Sequence, residues 1–265
     1  MNDTMADGPH HLEYRNVQRM FADGARDFVA VQDINLTIKR GEFVCIIGPS
    51  GCGKSTLLNM AAGLLHPSEG TVLYQGKEIR ALNTQVGYVT QRDTLLPWRT
   101  AERNVALALE LQGVPAAERK RRVDDVLRQV HLDGKGNRYP SQLSGGMMKR
   151  AALAQILVYE PTTLLMDEPF GALDAQLRMS LQRDLLEICE KTEKTVLFVT
   201  HDLEEAILLG DRVVVFGTNP GRIIHVEDIH LPRPRDLVSL RSNPEFGATW
   251  EKLWGLLAPQ IGAHT

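Results

Sequence analysis

The stretch FVCIIGPSGCGKST, Phe43 to Thr56, decides the fold. FVCII is a continuous apolar run closed by a glycine-rich turn, as expected of a strand covered on both faces in an α/β core. The turn GPSGCGKST fits G-x-x-x-x-G-K-[ST] and leads into a helix expected to begin near Lys54. Gly48, Pro49, Ser50, Gly51, Cys52 and Gly53 then form a cradle whose backbone N–H groups turn toward phosphate oxygens, with the positive end of the helix behind them. In such a cradle Lys54 reaches the β and γ phosphates, and Ser55, followed by Thr56, offers a hydroxyl to Mg²⁺. Cys52 stands at a helix N-terminus, where a thiol pKa can fall. A redox switch is therefore weighed there against a small residue whose N–H binds phosphate.

Outward from this stretch the pattern returns. TTLLM, Thr162 to Met166, and TVLFVT, Thr195 to Thr200, are apolar runs followed by polar residues and then a helical stretch. Strand and helix in alternation argue a parallel sheet. Ahead of the cradle, EYRNVQRMF and VAVQDINLTIK alternate and carry β-branched residues, which predicts an antiparallel sheet. Residues 92–159 show little strand signal and at least two helices, one of them PAAERKRRVDDVLRQV, and form an inserted helical lobe. The RKRR run at Arg119–Arg122, with Asp124 and Asp125 beside it, is a solvated helix face. VVVF and RIIHV, joined by TNPG, form a hairpin, and Trp250, Leu253, Trp254 and Leu257 recur at helical spacing in a tail expected to dock on the body.

The bulk numbers exclude several classes. A net charge of −3 over 265 residues gives no nucleic-acid footprint. Three cysteines, Cys45, Cys52 and Cys189, are too few and too irregular for a disulfide framework or a zinc site. No window holds the roughly 18 apolar residues of a spanning helix, so work at a membrane would require a partner.

A phosphate cradle is shared by many enzymes, and TTLLMDEPF narrows the choice. Asp167 follows an apolar strand at the carboxyl end of a parallel sheet, where a carboxylate can hold the Mg²⁺ hydration shell, and Glu168 beside it is placed to polarise an attacking water. His201 ends TVLFVT just before DLEE, where Asp202 and Glu205 form a capping box. In LSGGM, Ser144 is a good N-cap, while Gly145 and Gly146 leave backbone N–H groups bare at the start of MMKRAALAQIL without any lysine.

LSGGM followed by MDEPFGALD and VTHD, behind GPSGCGKST, resembles the nucleotide-binding subunit of ATP-binding cassette (ABC) transporters across roughly residues 12–240. The resemblance implies a P-loop NTPase (RecA-like) α/β core with a parallel sheet, an N-terminal antiparallel β subdomain and an inserted α-helical subdomain. It sets the core at 12–91 and 160–230, the helical signature subdomain at 92–159, and a helical tail at 231–265. It makes Gln91 the glutamine that touches Mg²⁺ and the attacking water, Asp174 the aspartate at the dimer interface, and His201 the contact to the γ-phosphate. Leu143, Ser144, Gly145, Gly146 and Met147 close over the ATP of the other subunit of a homodimer. Phe21 stacks on adenine, with Phe28 as rival.

At position 147 the family most often has glutamine. Met147, with LLPWRTAERNV, TNPGRI and LPRPRD, resembles the importer branch for nitrate, sulfonate, taurine and similar small solutes. By that resemblance the chain hydrolyses ATP with Mg²⁺ at the cytoplasmic face of the membrane, on two permease subunits fed by a solute-binding protein. Leu95, Leu96, Pro97 and Trp98 then line the groove for a permease helix, unless Trp98 is core. The competing class is a soluble cassette acting on ribosomes or DNA, which usually has two cassettes, a coiled-coil insertion or a basic arm.

Overall fold

The computed structural model describes residues 10–23, 26–91, 94–171 and 173–261. Its elements in chain order begin with β1 (Leu12–Asp23), β2 (Arg26–Ile38), β3 (Phe43–Ile47), α1 (Lys54–Ala61), β4 (Glu69–Tyr74) and β5 (Lys77–Glu78). Next come β6 (Val86–Val89), α2 (Ala101–Leu111), α3 (Ala116–Gln129), α4 (Gly145–Leu157), β7 (Thr163–Asp167) and α5 (Ala175–Thr192). The chain ends with β8 (Thr195–Val199), α6 (Leu203–Leu209), β9 (Arg212–Gly217), β10 (Arg222–Asp228) and α7 (Pro244–Ile261). By compactness the chain divides into one unit up to Thr84 with Glu193 onward, and a second from Gln85 to Thr192. β6, β7 and α5 thus group with the helices α2 to α4.

In the first unit β3 lies between β8 and β9, parallel to both, with Phe43 opposite Val196 and Val44 opposite Arg212. All five residues of β3 and of β8 are buried, which is why these strands read as unbroken apolar runs. β10 closes the order β10-β9-β3-β8 as an antiparallel neighbour of β9. The antiparallel sheet runs β2-β1-β4-β5. In β1 the buried side chains are Leu12, Tyr14 and Val17, and the change from a spacing of two to three falls on Asn16, which has φ 49°. Its N–H is taken by Asn35 Oδ1 at 2.9 Å, so a bulge keeps the apolar face inward. Tyr14 donates its hydroxyl to Leu57 O at 2.9 Å and so ties this sheet to α1.

In the second unit β6 and β7 pair in parallel from Val86 with Thr163 to Val89 with Met166. The basic run of α3 is the solvated face expected, with Lys120 on Asp124 and Arg121 and Arg122 on Glu118. Asn104, fully buried in α2, binds Leu96 N at 2.7 Å and the carbonyl oxygens of Leu96, Arg99 and Thr100 within 3.1 Å. That one side chain sets the loop on which Trp98 stands 70% exposed, so Trp98 is not core. Among the described residues no helix is long and apolar enough to cross a membrane.

Candidate functional site

In the first unit the turn after β3 forms the expected loop, and α1 starts at Lys54. Gly53 has φ 95°, and a Cβ there would lie 2.3 Å from Val31 Cγ1, so only glycine lets the loop close against β2. Behind it Gly221 N donates to Ala30 O at 3.0 Å and Gln32 N donates to Gly221 O at 2.9 Å, so the turn before β10 braces the same strand. Lys54 is buried, and its Nζ donates 2.8 Å bonds to the carbonyl oxygens of Gly48 and Pro49. Its ammonium is therefore held over the loop by the loop's own carbonyl oxygens.

At Cys52 burial and the helix N-terminus act in opposite directions. Burial raises its thiol pKa, and the charge of Lys54, whose Nζ lies 3.8 Å from Sγ, does not offset that. A buried and protonated thiol does not suit a redox switch, and the plainer role remains.

His201 follows β8, whose end is held by a bond from Thr200 N to Ile46 O at 3.1 Å. The capping box is only half formed. Asp202 accepts from Glu204 N at 3.0 Å and Glu205 N at 3.2 Å, but the Asp202 N–H goes to Thr200 Oγ1 at 3.0 Å. The buried Glu205 carboxylate accepts the Thr200 hydroxyl instead of reaching back to the cap. A threonine two residues before the cap outcompeted the glutamate. Gly48, Pro49 and Ser50, His201 with the first turn of α6, and Trp250, Trp254 and Leu257 of α7 line one cavity of about 800 Å³. The indoles of Trp250 and Trp254 stack at 5.6 Å, and Trp254 is 44% exposed, so of the four tail residues it is not a docking residue. Phe21 and Phe28 face each other across β1 and β2, both exposed, with the Arg19 guanidinium 4.7 Å from the Phe21 ring centre. Both rings share one surface.

In the second unit Asp167 closes β7, and Glu168 follows with φ 46°. Glu160 and Glu193 share this left-handed backbone, which at Glu168 turns the chain sharply at the end of the strand. Burial, and then the charge of Asp167, push the Tyr88 phenol above its usual range, so a neutral phenol accompanies the carboxylate. Ser144 caps α4 by accepting from Met147 N at 3.3 Å, and Met147 occupies the third helical position, where no side-chain bond returns to the cap. The two glycines differ. Gly145 is exposed with nothing within 4 Å of where a Cβ would be, whereas a Cβ on the buried Gly146 would lie 2.5 Å from Leu177 Cδ1 of α5. Leu143 is buried beneath this start.

Asp174 accepts from Leu177 N at 3.0 Å, so part of its carboxylate caps α5. Gln91 is exposed, and its carbonyl oxygen accepts from Lys149 Nζ at 2.9 Å. This tie between α4 and the end of the segment after β6 has no signal in the sequence, where Lys149 reads as one more helix-surface cation. Arg150 adds a bond to Ser180 Oγ at 3.1 Å and an ion pair with Asp184 at 2.8 Å, which fix α4 on α5. Taken singly, Ser55 of the first unit carries a hydroxyl, and Asp167 and Gln91 of the second carry a carboxylate and an amide oxygen. These are oxygen donors only, the chemistry a hard cation takes alongside phosphate and water.

A family model described as ABC transporter matches residues 31–171. An uncharacterized ABC transporter ATP-binding protein of Methanocaldococcus jannaschii is 45% identical over 94% of this chain and 92% of its own length. The aliphatic sulfonates import ATP-binding protein of Bacillus licheniformis is 42% identical over 91% of this chain and 92% of its own. The bicarbonate transport ATP-binding protein of Synechocystis is 44% identical over 87% of this chain, which spans 35% of that longer protein. Among solved structures, a dimeric ATP-binding cassette in a post-hydrolysis state, bound to ADP and Pi, is 32% identical. It superposes with a TM-score of 0.73 over 83% of this chain and 100% of that one.

Proposed function

The chain belongs to the ABC transporter family, and from that membership we propose that it is the ATP-hydrolysing subunit of an importer, working as a homodimer on two permease subunits at the cytoplasmic face of the membrane. The observation that carries this is the braced loop from Gly48 to Ser55, with the Lys54 ammonium held over it. In the proposed roles the loop and Lys54 bind the β and γ phosphates of ATP, and Ser55, Asp167 and Gln91 hold Mg²⁺. When bound, that ion would neutralise charge developing on the phosphates. Glu168 takes the proton of the attacking water, His201 contacts the γ-phosphate, and Phe21 supports adenine. Leu143 to Met147 meet the ATP of the other subunit, with Asp174 at the same interface. The functional division follows the same proposal: a catalytic core of 12–91 and 160–230, a helical signature subdomain of 92–159, and a tail from 231.

A relative named for sulfonate import and one named for bicarbonate transport support a small solute as cargo. The solute is handed over by a binding protein and touches other chains. Exposed Trp98, on its pinned loop, supports a permease helix as partner. The deciding experiment uses Glu168→Gln. Turnover should fall by about 10²–10⁴-fold, the range for losing a general base, and ATP should produce a stable dimer by light scattering. Full turnover in that variant, or copurification with ribosomes in place of a membrane partner, would overturn the proposal.

A further inference from the structure

The segment after β10 grips α6, the seven-residue helix that follows His201 and its neighbour Asp202. The side chain of Arg235 is 1% exposed. Its Nη1 donates to Ile207 O at 3.0 Å and Leu208 O at 3.3 Å, and its Nη2 donates to Gly210 O at 2.9 Å. The last carbonyls of a helix lack partners within it, and a cation there also meets the negative end of the helix dipole. Several acceptors converging on one side chain suit a planar fork of fixed donors and not a single ammonium. At the opposite end Arg241 pairs with Glu204 in the first turn of α6. One stretch of tail thus holds both ends of one short helix.

The helix and the residues before it are tied together by side-chain bonds. Asp202 binds the N–H groups of Glu204 and Glu205, Thr200 Oγ1 accepts from Asp202 N, and the Thr200 hydroxyl donates to Glu205. His201 lies inside that ring of bonds, between Thr200 and Asp202. Sliding or tilting α6 therefore carries His201 with it. We propose that Arg235 is a positioning residue for ATP hydrolysis: by capping the carboxyl end of α6 it sets where His201 stands, and it makes turnover depend on the tail. This rests on the role of His201 proposed above.

The test compares wild type, Arg235→Gln, Arg235→Lys, Arg241→Gln, His201→Ala and the Arg235→Gln/His201→Ala double variant of the full chain. The readouts are kcat and KM for ATP, with nucleotide affinity from a fluorescent ATP analogue. Arg235→Gln should lower kcat by about ten-fold or more while KM stays within about two-fold, as expected when a group acting in the transition state is displaced and ground-state binding is kept. Arg235→Lys should recover part of that loss. In the His201→Ala background Arg235→Gln should cause no further fall in kcat. The same factor lost in both backgrounds, or a raised KM at unchanged kcat, would show a merely structural arginine and overturn the proposal. Should Arg235→Gln not fold, Arg235→Lys and Arg241→Gln decide: lower kcat at constant KM supports positioning, and wild-type kcat in both refutes it. Wild-type turnover in His201→Ala would instead remove the histidine reading itself, and this proposal with it.

Discussion

Two glycine-rich helix starts in this chain are built in opposite ways. The start of α1 is enclosed: Gly53 turns at φ 95° against Val31, Cys52 is buried, and Lys54 bonds to two carbonyl oxygens of its own loop. The start of α4 is open on one side, with Ser144 as cap, Gly145 facing solvent, and only Gly146 packed, on Leu177. The first brings its own cation and a preshaped loop. The second has the positive end of a helix and bare N–H groups, and among the described residues no charged side chain bonds to them. A site of the first kind binds by itself, whereas one of the second kind adds to a ligand that something else already holds.

The sharpest way to break this contrast is Lys54→Ala. Losing a charge-assisted hydrogen bond to a highly charged phosphate should lower turnover by about 10²–10³-fold, and it should weaken ATP binding even in dilute, monomeric protein. Ser144→Arg, which fills the open start, should abolish turnover yet leave ATP affinity in the dilute chain unchanged. Equal loss of affinity in both variants by equilibrium fluorescence would place the two starts on one chain's nucleotide and end the distinction.

A smaller effect separates the two glycines that open α4. Gly146→Val forces a side chain into Leu177 and should destabilise the protein by about 1–3 kcal/mol in urea unfolding, as overpacking does. Gly145→Ala meets nothing within 4 Å and should be neutral or up to about 1 kcal/mol stabilising, since alanine favours helix over glycine. Its turnover should nevertheless fall, because the added methyl stands beside the bare N–H face. Equal unfolding midpoints for the two variants would sink the packing account of Gly146.

What was legible in the sequence divides along similar lines. The cradle is local: every residue that shapes the loop from Gly48 to Ser55 is within a few positions of the next, and its backing strand is a plain apolar run. The Arg235 cap was illegible, because its acceptors Ile207 and Gly210 lie 28 and 25 residues away and LPRPRD looks like surface. Trp98 could not be placed from spacing, since an indole on a helix-flanking loop has no period; the buried Asn104 that pins the loop settles it. Glu205 shows a correct pattern with a different partner. The cap spacing is present, but the Glu205 carboxylate accepts from the hydroxyl of Thr200, one residue past the end of β8. The left-handed Glu168 carries no sequence signature either, because nothing in MDEPF demands a positive φ at a glutamate.

The smallest expected effect compares the two starts through one chemistry, that of a thiol. A helix N-terminus lowers a thiol pKa and burial raises it, and at Cys52 burial wins, with the thiol above its ordinary value. A raised pKa means a smaller thiolate fraction at neutral pH, so alkylation of Cys52 by iodoacetamide should be slow at pH 7 and climb as pH rises toward that value. Cys52→Ala should leave turnover within about two-fold of wild type, because the loop binds through its backbone. Gly145→Cys puts a thiol at the first position of the thirteen-residue α4 with open space around it, where the helix end acts and burial does not. Peptide mass spectrometry should find that cysteine alkylated faster than Cys52 at pH 7, with a flatter rise in rate above it. A faster Cys52 would mean that the enclosed start exposes its thiol in solution, and the difference between a closed cradle and an open helix end would then be one of degree.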